Sequence, residues 1–160
     1  MNCPDAAGLG QAFKTNHWLI HQLVDGLNHA DSIVQPPYRG NCLNWVLGHI
    51  IVSRNQALKL LEVSPVWSAV EINLYDTGSK PITGDEQGIN FENLLVTLDL
   101  TQDRIQTGLD VIGNDQLDLV VETSRGIRPV GKHIASLNWH ETYHIGQLEL
   151  LREIARSRSS

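Results

Sequence analysis

The sequence has little cysteine, one methionine and no long apolar run. Its 160 residues include only two cysteines, Cys3 and Cys42, which are too few for a disulfide framework. A reducing, cytoplasmic location is therefore expected. The segment Met1–Gly10 lacks a basic start followed by an apolar stretch, so the sequence predicts no signal peptide. No apolar run approaches the roughly 18 residues that a membrane span needs, and no membrane partner is expected.

Positive charge is also scarce. Lysine and arginine total 12 against 18 aspartates and glutamates, which gives a net charge of −6 with histidine neutral. Nucleic acid is not an expected partner, because neutralising phosphates requires clustered Lys and Arg. The chain is instead rich in histidine, with 7 residues, and 41% of it is hydrophobic. Its length and apolar content predict one domain that spans residues 1–160.

Apolar residues recur with helical spacing in four stretches. The predicted helices run from about Leu9 to His29, Asn41 to Val63, Phe91 to Ile112 and Gly131 to Ala155, with Asn41 as the N-cap of the second. The pattern predicts an all-α fold, a four-helix bundle.

The connections between these helices differ in length. The first is short, whereas the other two are long. Residues 64–88 contain two prolines and three glycines, and we predict a crossover with little regular structure there. Residues 117–121 and 127–130 flank Ser124-Arg125-Gly126 and predict a short β-hairpin between helices 3 and 4. Long second and third connections are typical of bundles with crossovers.

Two histidines lie on the apolar face of the fourth helix. His140 and His144 are spaced i, i+4 and lie on the same stripe as Leu137 and Leu151. An unpaired polar group buried on such a face costs roughly 1–3 kcal/mol. One metal ion would satisfy both rings, whereas the alternative is a pair of core histidines bonded to neighbouring side chains or water.

A third ligand is predicted on the second helix. His49 follows Gly48 at the edge of a broad apolar face, and three imidazoles with a fourth position open are typical of catalytic zinc or a similar divalent ion. His17 and His21 form a rival pair on the first helix, which we expect to face solvent or line a rim. His29 and His133 lie near helix ends and are expected at the surface or in caps, outside this list of ligands.

The same residues match the zinc metalloprotease pattern H-E-x-x-H, with Glu141 as general base. The extended form of the pattern fails, because Gln147 and Leu150 stand where it requires Gly and His. Only 16 residues follow His144, so a third ligand from a separate downstream helix is excluded within this sequence. A metalloprotease is therefore the weakest of the alternatives.

Two segments carry a resemblance to a known family. Trp45-x-x-Gly48-His49-Ile50 and, some 90 residues later, His140-x-x-x-His144-x-Gly146-Gln147-Leu148 resemble the DinB-like and YfiT-like metalloenzymes. The resemblance implies an up-down-down-up bundle with two crossovers and a divalent metal held by His49, His140 and His144. It also implies homodimers in many members. Some relatives are transferases or isomerases that use a low-molecular-weight thiol, and others are described as hydrolases.

The predicted function is a metal-dependent enzyme that acts on a small molecule. A three-histidine ion with an open position lowers the pKa of a bound water, which suits a hydrolase, or activates a thiolate, which suits a thiol-dependent transferase. Imidazole ligands suit zinc and nickel. The weak catalytic candidate is Glu141, which is a base, a partner of a ligand, or an ion-pair partner of Arg54. The alternative function is a non-catalytic bundle, a metal-binding or structural module.

Overall fold

The computed structural model describes residues 4–84 and 87–158, of which helices make up most. Cys3 lies outside the described residues. The elements in chain order are α1 (Ala6–Val24), α2 (His29–Ser32), α3 (Leu43–Leu60), α4 (Ala69–Tyr75), α5 (Phe91–Val111), α6 (Asn114–Asp118), β1 (Val120–Thr123), β2 (Gly126–Pro129) and α7 (Val130–Arg158).

The four long helices form the predicted all-α bundle. Both α1 and α3 pack against α5 and α7, so α1 and α3 lie on one diagonal of the bundle. Contacts run in opposite chain directions between α3 and α7, where Ser53 meets His140 and His49 meets His144. Contacts also run in opposite chain directions between α1 and α5, whereas α3 and α5 run parallel. The topology is therefore up-down-down-up with crossover connections, as predicted.

Two clusters of buried apolar side chains fill the bundle, one towards each end. Each cluster takes residues from all four long helices, as the 3.6-residue spacing of apolar positions requires. One includes Ile20, Leu47, Leu94 and Leu148. The other includes Phe13, Leu58, Ile105 and Ile134.

The first helix ends earlier than predicted. Helix α1 ends at Val24 rather than His29, because Gly26 adopts a left-handed conformation with φ of 76°. A new short helix, α2, then begins behind an Asn28–Asp31 capping box. The first connection is consequently long, and the prediction of a short one was wrong.

The crossover after α3 contains regular structure that the prediction missed. Helix α4 lies within residues 64–88, and its capping box joins Ser68 to Glu71. The prediction of Asn41 as the N-cap of the second helix was also wrong, since Cys42 occupies that position without a side-chain cap bond. Cys42 is fully buried, and burial raises the pKa of its thiol.

The predicted β-hairpin is present, shifted by a few residues. Strands β1 and β2 pair antiparallel, with Val120 opposite Pro129 and Thr123 opposite Gly126. The first strand begins later than expected because helix α6 takes up residues 114–118. Among the described residues, no helix is sufficiently long and apolar to span a bilayer.

Candidate metal site

The bundle brings the three predicted ligands together. His49 lies on α3, and His140 and His144 lie one turn apart on the antiparallel helix α7. One ring nitrogen from each lies within 4.8 Å of the others. All three histidines lie on long helices and none lies on a loop. The helix backbones therefore hold the three rings close together.

Hydrogen bonds fix which nitrogen of two of these rings faces the centre. His49 Nδ1 donates to the Tyr75 carbonyl at 2.8 Å, and His144 Nδ1 donates to Gln147 Oε1 at 2.7 Å. A neutral imidazole carries one proton, so each Nε2 is left with a lone pair. This is the tautomer that binds a metal through Nε2, held by an outer partner at Nδ1.

His140 completes the group through its contact with Ser53. Its Nδ1 lies 3.1 Å from Ser53 Oγ, and its Nε2 lies 3.1 Å from His144 Nε2. When Ser53 accepts the Nδ1 proton, three Nε2 lone pairs converge, and a cation between them satisfies all three. These residues therefore fit a divalent metal ion, by the chemistry of the donor set and the direction of its free nitrogens.

Electrostatics favour the neutral form of these imidazoles. Burial, reinforced by the neighbouring charges of His144, His49 and Arg125, lowers the pKa of His140 to about 4. Burial also lowers the pKa of His144, partly offset by its hydrogen bond to Gln147. Since only a neutral imidazole ligates a metal, both shifts keep the ligand form available under mildly acidic conditions.

Glu141 lies beside the ligands in sequence but faces a different partner. Its two carboxylate oxygens accept from Arg54 Nε and Nη2, at 2.9 and 2.8 Å, and both side chains are fully buried. Arg54 also donates to the Leu98 carbonyl and to Thr101 Oγ1. The bidentate pair joins α3 to α7, the two helices that carry the histidines.

The rival histidines form a separate surface cluster. His21 Nε2 and His17 Nε2 lie 2.7 and 3.3 Å from Asp99 Oδ1. Arg54 Nη1 lies 3.4 Å from His17 Nδ1, which fixes that nitrogen as an acceptor and leaves the proton on Nε2. Burial, together with the charges of Arg54 and His21, lowers the pKa of His17 to about 4. Arg54 thus favours a His17 that donates to Asp99 over one that binds a metal through Nε2.

A cavity of about 360 Å³ opens beside His144 and Gln147. Its wall includes Trp45, whose ring stacks on His49 with centroids 4.9 Å apart. Among the described residues, no further His, Cys, Asp or Glu places a ligand atom within the histidine group. A small molecule in this cavity would therefore lie next to the ligands.

Sequence reasoning missed two residues that orient the ligands. Tyr75 lies in the crossover that was expected to have little regular structure. It contacts His49 through its main-chain carbonyl, and no sequence motif indicates such a contact. Ser53 lies one turn beyond His49 on the same helix, and this spacing could have indicated that Ser53 lies on the same face as the ligand. His133 is buried, bonded to the Val121 carbonyl and to Thr123 Oγ1, so its predicted surface position was wrong because the hairpin covers it.

Comparisons with known proteins agree with this fold. A family model described as the DinB superfamily matches residues 12–148. A crystal structure of a conserved protein from Enterococcus faecalis is similar, with a TM-score of 0.72 and 15% sequence identity, over 93% of this chain and 95% of that one. At that identity the likeness supports the fold alone. No curated protein matches the chain.

Proposed function

Because the chain belongs to the DinB superfamily, we propose that it is a metal-dependent enzyme acting on a small molecule, with His49, His140 and His144 as the metal ligands. The observation that carries the proposal is the convergence of the three rings, two of them held by their Nδ1 protons so that Nε2 faces the centre. Zinc and nickel both suit three imidazoles.

The bound ion would supply a Lewis acid for a hydrolase, or a partner for the thiolate of a low-molecular-weight thiol in a transferase. The protein's own residues hold the ligands. Tyr75 and Gln147 fix the tautomers of His49 and His144, and Ser53 positions His140. The cavity beside His144 would bind the substrate and limit the access of water.

We assign Glu141 a positioning role rather than that of a general base. Both of its oxygens are engaged by Arg54 in a fully buried pair, so the carboxylate acts on the site through the packing of α3 against α7. The same engagement argues against a metalloprotease, in which this glutamate would act on a water.

One observation favours the alternative of a non-catalytic bundle with hydrogen-bonded core histidines. If Ser53 donates to His140 Nδ1, then His140 Nε2 carries the proton and donates to His144 Nε2. The two rings on α7 are then satisfied without a metal.

Elemental analysis of the untagged, full-length protein distinguishes a metal site from hydrogen-bonded core histidines. We expect about one divalent ion per chain, lost in His144→Ala and kept in His21→Ala, which changes the surface cluster instead. An ion lost in His21→Ala but kept in His144→Ala would contradict the assignment. So would a wild type that binds no metal after incubation with zinc and with nickel.

Two further features, the oligomeric state and the location, are also proposals. The homodimer that is common among members of the family is a proposal for this chain, and sedimentation velocity at several protein concentrations tests it. A cytoplasmic location, expected from the low cysteine content, likewise stays a prediction that cell fractionation would check.

A further inference from the structure

Two cavities lie along the groove between α3 and α7, on either side of the histidines. The first, which we call the Arg39 cavity, is the one of about 360 Å³ that reaches His144; Arg39 and Asn41 line it from the loop before α3. The second, the Arg125 cavity, has about 260 Å³ and lies beneath the hairpin, between Leu137 and Lys59.

The charged residues that line the two cavities are all positive. Among the described residues, the Arg39 cavity contains one arginine, the Arg125 cavity contains Arg125 and Lys59, and neither is lined by a carboxylate. This is unexpected in a chain with 18 acidic and 12 basic residues. The groove that holds the histidines is thus positive within an acidic protein, and such a cleft attracts anions.

No described residue neutralises either arginine. Within residues 4–84 and 87–158 the structure records no ion pair for Arg39 or Arg125. Arg125 lies near enough to His140 for its charge to contribute to the lowered pKa of that ring. A guanidinium presents its donors in a fork that matches a carboxylate or a phosphate, and here that fork is free to bind one.

Apolar side chains form much of the remaining wall of the Arg39 cavity, beside the polar Asn41 and Gln147. Trp45, Val46 and Leu151 are buried there, beside the exposed Leu150. A cavity that combines apolar walls with one cation suits a ligand with an apolar body and an anionic end.

We propose that the substrate of the histidine site is a small molecule bearing a carboxylate or phosphate group, that Arg39 binds this group, and that the apolar walls of the Arg39 cavity hold the rest of the molecule against His144. Arg125 adds a longer-range attraction from the opposite side. This inference rests on the proposed function for the position of the site, but anion binding is measured without turnover.

The test is a titration of the full-length protein, followed by the indole signal of Trp45 in nuclear magnetic resonance spectra. The probes are benzoate and phenyl phosphate, which separate a carboxylate site from a phosphate site, and benzamide as the neutral counterpart of benzoate. Arg39→Gln should weaken binding of the preferred anion about tenfold or more. The matched control Arg128→Gln removes an equal charge from an exposed residue that lines neither cavity, and should change binding no more than about twofold.

Three results would overturn the inference. They are binding of benzamide as tight as that of the preferred anion, equal losses in Arg39→Gln and Arg128→Gln, and no binding of either anion to wild type. Each titration is run on zinc-loaded and on chelator-treated protein. A metal that binds while neither anion does refutes this inference and leaves the proposed function intact. Anion binding through Arg39 in a protein that takes up no metal supports the inference and refutes the proposed function.

Discussion

At the scale of single residues, the buried pair of Arg54 and Glu141 is costly to disturb. Both side chains are fully buried, and the pair has two hydrogen bonds. Removing one partner from a buried pair costs about 3–5 kcal/mol, because the other charge remains without compensation. Glu141→Gln should therefore lower the free energy of unfolding by about that amount, measured by urea denaturation.

The control for this change lies on the same helix. Glu149 is exposed on α7, and Glu149→Gln should change the free energy of unfolding by no more than about 0.5 kcal/mol. Equal effects of the two substitutions would show that the pair does not hold α3 to α7. The sequence predicted this pairing as one option for Glu141, because both residues fall on core-facing sides of their helices.

His17 should make stability depend on pH. Burial, with the charge of Arg54, holds its pKa at about 4, below the ordinary value of 6.5. Between these values the unfolded chain binds more protons, so the contribution of neutral His17 is full above about pH 6.5 and is lost as pH falls towards 4. The free energy of unfolding of wild type should fall more steeply over this window than that of His17→Gln, by at most about 3 kcal/mol.

Denaturation curves at a series of pH values measure this difference. Above about pH 7 the two proteins should show the same slope of stability against pH, because His17 is then neutral in both states. If the plots of stability against pH for the two proteins were parallel across the acidic window, the pKa of His17 would be the same in the folded and the unfolded chain.

At the scale of elements, the sequence predicted those helices whose apolar residues repeat over many turns. Helix α5 begins at the predicted Phe91, and α7 presents His140 and His144 to the core as their spacing requires. The short helices α2, α4 and α6 were not predicted, because four to seven residues contain too few helical turns for a periodic pattern to be detected. Helix α4 was nevertheless signalled by Ser68 and Glu71, which form its capping box.

The contact between α4 and α3 depends on a glycine. A Cβ placed at Gly48 would collide with the ring of Tyr75, whose carbonyl also holds His49. Gly48→Ala should therefore displace α4, lower the free energy of unfolding by about 1–3 kcal/mol, and weaken zinc binding by about tenfold or more. Denaturation and a competitive zinc titration measure the two effects.

Gly146 provides the matched control, because it is an exposed helical glycine with open space around its Cβ position. Gly146→Ala should raise the free energy of unfolding by about 0.5–1 kcal/mol and leave zinc affinity unchanged. If Gly48→Ala behaved like this control, Tyr75 would not be the residue that orients His49. A glycine within a helix permits close packing, but the partner of Gly48 comes from the crossover and could not be foreseen from the sequence.

At the scale of the whole molecule, charge is distributed unevenly. The net charge of −6 correctly describes the chain as a whole, yet the groove beside the histidines is lined by Arg39, Arg125 and Lys59. Composition averages over the surface, so it could not reveal this local sign. The loops that carry both arginines lack periodicity, and their positions follow from the tertiary fold alone.

The described chain should unfold as one unit, which would support the single domain predicted for residues 1–160. The two apolar clusters share the four long helices, so neither end of the bundle can lose its packing alone. Trp45 and Trp67 lie in one cluster, whereas Ile134 lies in the other. Ile134→Ala should lower the urea midpoint seen by tryptophan fluorescence and by far-ultraviolet circular dichroism equally, through a loss of about 2–5 kcal/mol. A fluorescence midpoint that stays at the wild-type value while the dichroism midpoint falls would instead mean that the two ends unfold independently.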